Sequence, residues 1–414
     1  MQKTKVWIWL VLTMFIWVSF SFGFSGTEVI IDNTGQISIS NITAKSGYWR
    51  DIQDAVNWVV AHSGIGNVYI PEGTWNFINV SESWTGARVT IPAGVNVFGA
   101  PTEKYANGTV KEWKTVLVMP SSVWSDNEDN IPTWFKIVGN SEPNKPSRFS
   151  DIKLVGYRSI NNSDPYMHYA IEVENVIDFR IDHCYFEHTT AGVSCGSAYE
   201  KPTQFRGVID HCFFVNHYGV IEPYEDKTIG YGVSVMIDWH YAVWDSIEQV
   251  LGHYNNYTVF IEDCYFEKWR HCVCANNGGH YVFRHNIIKN DFGFGSLDLH
   301  EKRTQTSARA AEIYENQFLD SEDGQGDAIW WRGGGGVAFN NTVAGYKTFA
   351  FLIENAEYQN ETFQPHDIWI WNNSIPANCI LISADGDIKQ DRDYFLNAPS
   401  WYTPYPYPHP FASG

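Results

Sequence analysis

The chain has 414 residues and a formal net charge of −19, with 44% hydrophobic and 16% aromatic residues. A charge this negative excludes nucleic acid and any polyanion held by Coulomb attraction alone, so a polyanionic substrate would need a bridging cation. The 18 Trp and 23 Tyr are flat amphipathic rings that stack on sugar faces or fill large cores, and core filling takes most of them. At the N-terminus, Lys3 and Lys5 precede an almost unbroken apolar run from Val6 to Phe20, followed by small residues in Ser21-Phe22-Gly23-Phe24-Ser25-Gly26. This is the pattern of a secretory signal over residues 1–25, whose flanks favour cleavage over retention as a membrane anchor. No second apolar run of that length follows, so the expectation is an exported protein, secreted or on the cell surface, that leaves the membrane after cleavage.

After a leader over residues 26–45, Ile52, Ala55, Val56, Val59 and Val60 fall at helical spacing and Gly64 supplies a stop, which predicts a helix over Asp51 to His62. Two short alternating strands follow, Asn67-Val68-Tyr69-Ile70-Pro71-Glu72-Gly73-Thr74-Trp75 and Val89-Thr90-Ile91-Pro92-Ala93-Gly94-Val95-Asn96-Val97-Phe98-Gly99, each broken by a Pro and Gly turn. A helix, a strand ending in Ile-Pro-x-Gly-Thr and a second Ile-Pro-x-Gly strand resemble the entry cap of the pectate-lyase-like right-handed parallel β-helices. The resemblance covers roughly residues 46 to 390. It implies a solenoid whose open end residues 46–100 cap, with the helix covering strand edges that would otherwise be bare.

The body of the chain repeats one phrase: Ile181-Asp182-His183-Cys184-Tyr185-Phe186, Ile209-Asp210-His211-Cys212-Phe213-Phe214 and Ile261-Glu262-Asp263-Cys264-Tyr265-Phe266. Asparagine takes the cysteine slot in Phe283-Arg284-His285-Asn286, Ile313-Tyr314-Glu315-Asn316, Ala338-Phe339-Asn340-Asn341 and Ile370-Trp371-Asn372-Asn373. A period of about 20 to 35 residues marks one solenoid coil per repeat. The predicted fold is therefore all-β, a right-handed parallel β-helix over residues 101–397 behind an N-terminal capping helix. Cys184, Cys212, Cys264, Asn286, Asn316, Asn341 and Asn373 should form one inward stack. Seven cysteines are an odd number for an exported chain, and a buried thiol ladder is favoured over a disulfide.

The long gap between Cys212 and Cys264 holds an extra coil or an excursion. Asp245-Ser246-Ile247-Glu248 before Gly252 reads as a short capped helix, expected to wall one side of a binding groove. The tail over 398–414, with Thr403-Pro404-Tyr405-Pro406-Tyr407-Pro408-His409-Pro410, reads as extended and mobile. Asp385-Gly386-Asp387 with Asp391 and Asp393 offers calcium oxygen ligands, although a solvated acidic turn is favoured. Calcium is the cofactor considered; no metal ligands are assigned.

Three groups of residues could carry chemistry. Asp-x-His occurs twice, as Asp238-Trp239-His240 and as Asp298-Leu299-His300 followed by Glu301. Strand residues i and i+2 share a face, so each pair presents a carboxylate beside an imidazole, suited to proton transfer or to a shared metal. The competing reading is turn residues that satisfy strand ends. His271 and His280 flank Cys272, Cys274 and Gly278-Gly279 and could bind substrate or, with the thiols, a metal; inert core cysteines are favoured. Trp330, Trp331 and Arg332, leading into four glycines, could stack on a sugar and bind its carboxylate, or simply turn a tight corner.

The Arg-x-Pro-x-x-Arg segment that carries the base of pectate lyases is absent, and so is the Gly-His-Gly of polygalacturonases. The expectation is a protein acting on polysaccharide, by hydrolysis or elimination, along a groove lined by Glu222, Asp298, His300, Arg332 and Glu354. The alternative is a non-catalytic surface or glycan-binding β-helix, since the superfamily holds lyases, hydrolases, esterases and proteins without catalysis.

Overall fold

The computed structural model describes residues 28–31, 37–79, 87–105, 109–119, 133–139, 145–156, 169–189, 191–196, 204–216, 230–236, 246–289, 295–300, 307–319, 326–354 and 364–413. The signal sequence and the candidates Glu222, Asp238, His240 and Glu301 lie outside these residues.

Strands from successive coils stack into three long sheets, of 13 strands (sheet A), 10 strands (sheet C) and 9 strands (sheet B) among the described residues. One coil runs through Ile177–Asp182 in sheet A, Tyr185–Glu187 in sheet B and Ala191–Cys195 in sheet C, then enters the next coil at Arg206–Asp210. Every pairing between coils is parallel and in near-continuous register, for example Asp182 to Asp210 to Glu262 to Arg284 to Tyr314. The chain is a right-handed parallel β-helix, wound in the sense that parallel crossovers take. Cys212 and Cys264 stand on adjacent coils, so the long gap between them holds an excursion and no extra coil.

The corner from sheet A to sheet B explains the repeated phrase. Its third residue adopts left-handed backbone geometry in each coil that carries the phrase, with φ of 52° at His183, 53° at His211, 55° at Asp263, 56° at His285 and 54° at Asn340. Asn, Asp and His enter that region more readily than other side chains, which accounts for most of the polar residues found there. The fourth residue then turns inward and pairs the corner's buried backbone groups. The backbone N–H of Cys264 donates to Asn286 Oδ1 (2.9 Å), that of Asn286 to Asn316 Oδ1 (2.9 Å), and that of Asn316 to Asn341 Oδ1 (3.1 Å). Each amide nitrogen donates to a carbonyl of the coil before, as Asn316 Nδ2 does to Phe283 O (2.8 Å). Cysteine serves the same slot, its thiol donating within its own corner to Asp182 O, Asp210 O or Glu262 O at 3.3 Å. All seven cysteines are buried free thiols, so the thiol ladder forms without a disulfide. Phe186, Phe214, Phe266 and Phe318 point inward and are fully buried.

At the N-terminal end, helix Trp49–His62 turns Ile52, Ala55, Val56 and Val59 into the core. Val60, expected to join them, is 44% exposed, because it lies a residue further round the helix than that apolar stripe. The leader carries strands of its own: Ile37–Thr43 extends sheet A, and Glu28–Ile31 pairs antiparallel to it.

The tail is ordered and not mobile. It crosses the outer face of sheet A, where Tyr402 and Tyr405 pack with Phe260, Val282, Tyr314 and Phe339. Arg284 donates to Tyr405 O (2.6 Å) and Pro406 O (2.9 Å), and the backbone N–H of His409 donates to Glu262 Oε1 (2.8 Å). The short helix Ile247–Val250 shares this face, where Ile247, Val250 and Leu251 pack on sheet A, so the helix covers that sheet instead of walling a groove. Among the described residues no helix is long and apolar enough to cross a membrane.

Two outcomes follow. Asn316→Ala should lower the free energy of unfolding in urea by about 2–4 kcal/mol, because the buried N–H of Asn286 and the carbonyl of Phe283 lose their partners, whereas Asn316→Cys, the side chain of earlier coils, should cost less than half of that. Truncation after Asn397 should lower the melting temperature and promote aggregation, as it strips the Arg284–Glu262 pair and an apolar sheet face of their cover; an unchanged melting curve would contradict the docked tail.

Candidate functional site

The three sheets present different outer faces. Sheet A is covered by the tail and by helix Ile247–Val250. On sheet B the outward rings of Tyr185, Phe213 and Tyr265 stack in a column, at 5.8 Å between centroids and with only 5° between the first two planes. Their flat faces meet one another, so edges and not platforms are turned outward. Sheet C keeps a mixed polar column, whose register places Ser194, Ser234, Cys274, Asp298, Trp330 and Phe351 side by side on successive coils.

Asp298, on strand Leu297–Leu299, is the centre of this column and is fully buried. Arg332, which follows strand Asp327–Trp331 on the next coil, grips it with both arms of the guanidinium: Nε donates to Oδ1 at 2.9 Å and the terminal nitrogen donates to Oδ2. Such planar two-point pairing orients both groups. From the coil before, His271 brings Nε2 to 3.5 Å from Asp298 Oδ2, and Cys274 donates its thiol weakly to the same oxygen at 3.8 Å. His271 Nδ1 lies 2.6 Å from Gly295 O and must carry the proton it donates there. His300, two residues after Asp298, is mostly buried, and its Nδ1 has no hydrogen-bond partner among the described residues. Trp330 is seated over Gly295, where a Cβ would stand 2.5 Å from the indole Cγ, and its N–H donates to Asp327 Oδ2 (2.8 Å).

The electrostatics follow from these contacts. Burial pulls the Asp298 carboxyl upward, but His271, Arg332 and His300 outweigh it and hold the group down at about 2. Burial lowers His271 to about 4 and His300 likewise to about 4, with Arg332 and Arg270 adding to the effect and the Asp298 charge opposing it. Both imidazoles are thus neutral at neutral pH, and the standing positive charge beside Asp298 is that of Arg332. The site pairs an ionised carboxylate and a guanidinium with two neutral imidazoles, one of which has a buried Nδ1 without a hydrogen-bond partner among the described residues.

The structure brings together Asp298, His300, His271, Trp330 and Arg332. His280 is elsewhere: it stands on the outer side of sheet A, between Thr258 (3.0 Å) and Glu312 (3.2 Å), 3% exposed. Trp331 points into the core and is fully buried, since its neighbour Trp330 takes the outward position of the strand. The following glycines form the corner and the sheet A strand Gly334–Phe339. Cys272 is in the core, and no group of three or more metal-ligating side chains lies together among the described residues. The acidic turn is solvated and self-paired, with Asp387 on Lys389 (2.5 Å) and Arg392 (3.1 Å), and Glu354 Oε2 accepts the N–H of Asp387 (2.8 Å). Sequence reasoning missed the role of Cys274, whose alternation with core residues along strand His271–Asn276 was the available signal.

No protein-family model matches the sequence, and no curated protein matches it. Solved structures are similar in fold. The A-module of a mannuronan C-5 epimerase from Azotobacter vinelandii is 12% identical, with a TM-score of 0.45 over 85% of this chain and 92% of that one. DFA-IIIase from Arthrobacter chlorophenolicus, in complex with DFA-III, is 11% identical, with a TM-score of 0.41 over 82% and 81%. The pectin methyl esterase of rice weevil is 11% identical, with a TM-score of 0.36 over 78% and 85%. The resemblance to the pectate-lyase-like right-handed parallel β-helix superfamily is one of fold.

A pH dependence follows from the buried imidazoles. His271 ionises at about 4 in the fold against 6.5 ordinarily, so below pH 6.5 the unfolded chain takes up the proton first. Its contribution to stability is complete above 6.5 and falls away as pH drops toward 4, by about 3 kcal/mol at 1.36 kcal/mol per unit. Asp298 does not act in this window, because its contribution is lost only as pH falls from its ordinary 3.8 through about 2. Urea unfolding between pH 7 and 4.5 should show the decline, and His271→Asn should flatten its slope; identical slopes would contradict a buried neutral imidazole.

Proposed function

We propose that this chain acts outside the cell on an acidic polysaccharide, with the outer face of sheet C as its active surface and proton abstraction beside a sugar carboxylate as its chemistry. The observation that carries the reading is His300: a neutral imidazole whose buried Nδ1 has no hydrogen-bond partner among the described residues, next to the Arg332–Asp298 pair. Abstraction of a proton from the carbon bearing a carboxylate needs an unprotonated base and a cation to hold the developing charge. His300 is the base, and the Arg332 guanidinium, oriented by Asp298, faces the carboxylate. Arg332 thereby supplies locally the positive charge that a chain of net charge −19 otherwise lacks. Trp330, locked by Asp327 and Gly295, offers a ring on which a pyranose stacks. A linear polymer suits the face because coils repeat at about 4.8 Å, on the scale of one sugar unit.

Hydrolysis by two carboxyl groups is less well supported. It requires a carboxylic acid that still holds its proton near neutral pH, and Asp298, held at about 2, has none to give. The epimerase module, the DFA-IIIase and the pectin methyl esterase named above are carbohydrate-active proteins, which agrees with the substrate class. The N-terminal pattern of a secretory signal, expected from the sequence, agrees with action outside the cell.

One observation favours a non-catalytic β-helix: Asp298 is sealed by Arg332 and His271, and a closed ion-pair network is also a means of bracing neighbouring coils. His300→Gln separates the two readings. Assayed against a panel of uronate-containing and neutral polysaccharides, with and without calcium, the native protein should form unsaturated or epimerised uronate. The variant should lose at least about a hundredfold in turnover at an unchanged melting temperature. In the native protein kcat/KM should rise as pH increases through about 4, where His300 loses its proton. Absence of turnover on every uronate polymer would favour the bracing role.

A further inference from the structure

The corner between sheets A and B carries a side-chain pair that this chemistry does not use. The Ile-Asp-His-Cys phrase occurs on two consecutive coils, so His183 and His211 hold equivalent left-handed positions, their rings stacked at 5.0 Å with 13° between planes. Both rings are anchored alike. His183 Nδ1 lies 2.6 Å from Asp182 Oδ2, and His211 Nδ1 lies 2.9 Å from Asp210 Oδ2. A carboxylate only accepts, so each Nδ1 carries a proton, and Nε2 carries the lone pair whenever the ring is neutral; the hydrogen bond to Asp210 raises the pKa of His211, so an ion there competes with a proton for that nitrogen. The carboxylates are fixed in turn by arginines of the preceding coil, Arg148 on Asp182 (2.7 and 2.8 Å) and Arg180 on Asp210 (2.9 and 2.9 Å). Neither Nε2 has a partner among the described residues.

We propose that His183 and His211 form a binding site for a divalent transition-metal ion, held by the two Nε2 atoms, with water completing its coordination. An imidazole whose Nδ1–H is donated to a carboxylate is the usual state of a metal-ligating histidine, since that bond fixes the tautomer and raises the basicity of Nε2. Paired imidazoles select zinc, copper or nickel over magnesium and calcium. Two nitrogens at about 2.0 Å from one tetrahedral ion stand about 3.3 Å apart, so the rings must lean together. His211, with its side chain 31% exposed, has room to do so, and His183, at 9%, is the fixed member. Asp263 follows in the same column and adds negative field at His211. An ion at this place would tie adjacent coils together at their tightest turn.

The test uses the mature protein and the variants His183→Asn and His211→Asn. Asparagine already fills the same left-handed slot at Asn340 and Asn372, so the corner should survive the change. In calorimetric titration with Zn²⁺ at neutral pH, the native protein should bind one ion. Each single variant should bind at least about tenfold more weakly and the double variant should lose the site, a loss on the scale that removing one ligand produces. Cu²⁺ should give an electron paramagnetic resonance spectrum with two equivalent nitrogens, reduced to one in either variant. Zn²⁺ should raise the melting temperature of the native protein and not that of the double variant. Unchanged Zn²⁺ affinity in the double variant, or no binding by the native protein at about 1 mM Zn²⁺, overturns the proposal.

Discussion

The corner between sheets A and B is the constraint on which the rest of the molecule depends. There the chain turns from one sheet into the next within two residues, one in left-handed geometry and one turned inward, and the turn leaves backbone N–H and C=O groups in an apolar interior. Buried groups of this kind must be paired. Asparagine does so completely, accepting an N–H from the coil before and donating to its carbonyl, which also sets the register between coils. Cysteine does it more weakly, with a longer reach and a thiol donor. The stack changes from cysteine to asparagine between Cys264 and Asn286, where the N–H of Cys264 meets Asn286 Oδ1. Both side chains satisfy the same backbone geometry, so one vertical line runs through the solenoid.

Fixed register makes every outward column a line of side chains one strand apart, and each sheet uses its line differently. Sheet A buries acids and arginines in ladders, Arg148 with Asp182, Arg180 with Asp210 and Arg284 with Glu262. Buried pairs are tolerated only when their remaining hydrogen-bonding capacity is met, and the tail does this by placing carbonyls on Arg284 and Arg180 and an N–H on Glu262. Sheet B stacks aromatic rings on one another. Among the described residues, sheet C is the one that assembles an ionised carboxylate, a guanidinium, neutral imidazoles and a fixed indole on one face, a combination suited to proton-transfer chemistry.

The fold was legible because the corner repeats in residue type: Ile-Asp-His-Cys and its asparagine forms announce a coil wherever they occur. The site was only partly legible, because its column does not repeat. Asp298 and His300 were visible through the i, i+2 rule, and Arg332 through its glycine neighbours. His271 and His280 look alike in the sequence, yet one stands beside Asp298 and the other on sheet A, a distinction that depends on where each strand of the coil begins. Trp330 and Trp331 divide by strand parity, which a tandem pair conceals. The tail was misread because alternating proline and tyrosine suggest a solvated extended chain, while those rings carry enough apolar surface to dock on Phe260, Tyr314 and Phe339. Helix Ile247–Val250 was recognised locally, but the face it covers depends on contacts far away in sequence.

Desolvation and charge act together at the candidate site. Burial alone would raise Asp298 and lower the imidazoles; His271 and Arg332 together reverse the first effect, and Arg332 reinforces the second. The outcome is a base without its proton beside a fixed cation, an arrangement suited to removing a proton from carbon next to a carboxylate and poorly suited to protonating a glycosidic oxygen. The most direct measurement is solvent isotope exchange. In deuterated water with a uronate oligosaccharide, the account predicts deuterium at the carbon bearing the carboxylate, or its conversion to a double bond, and neither change with His300→Gln. New reducing ends formed with that carbon's proton fully retained would contradict it.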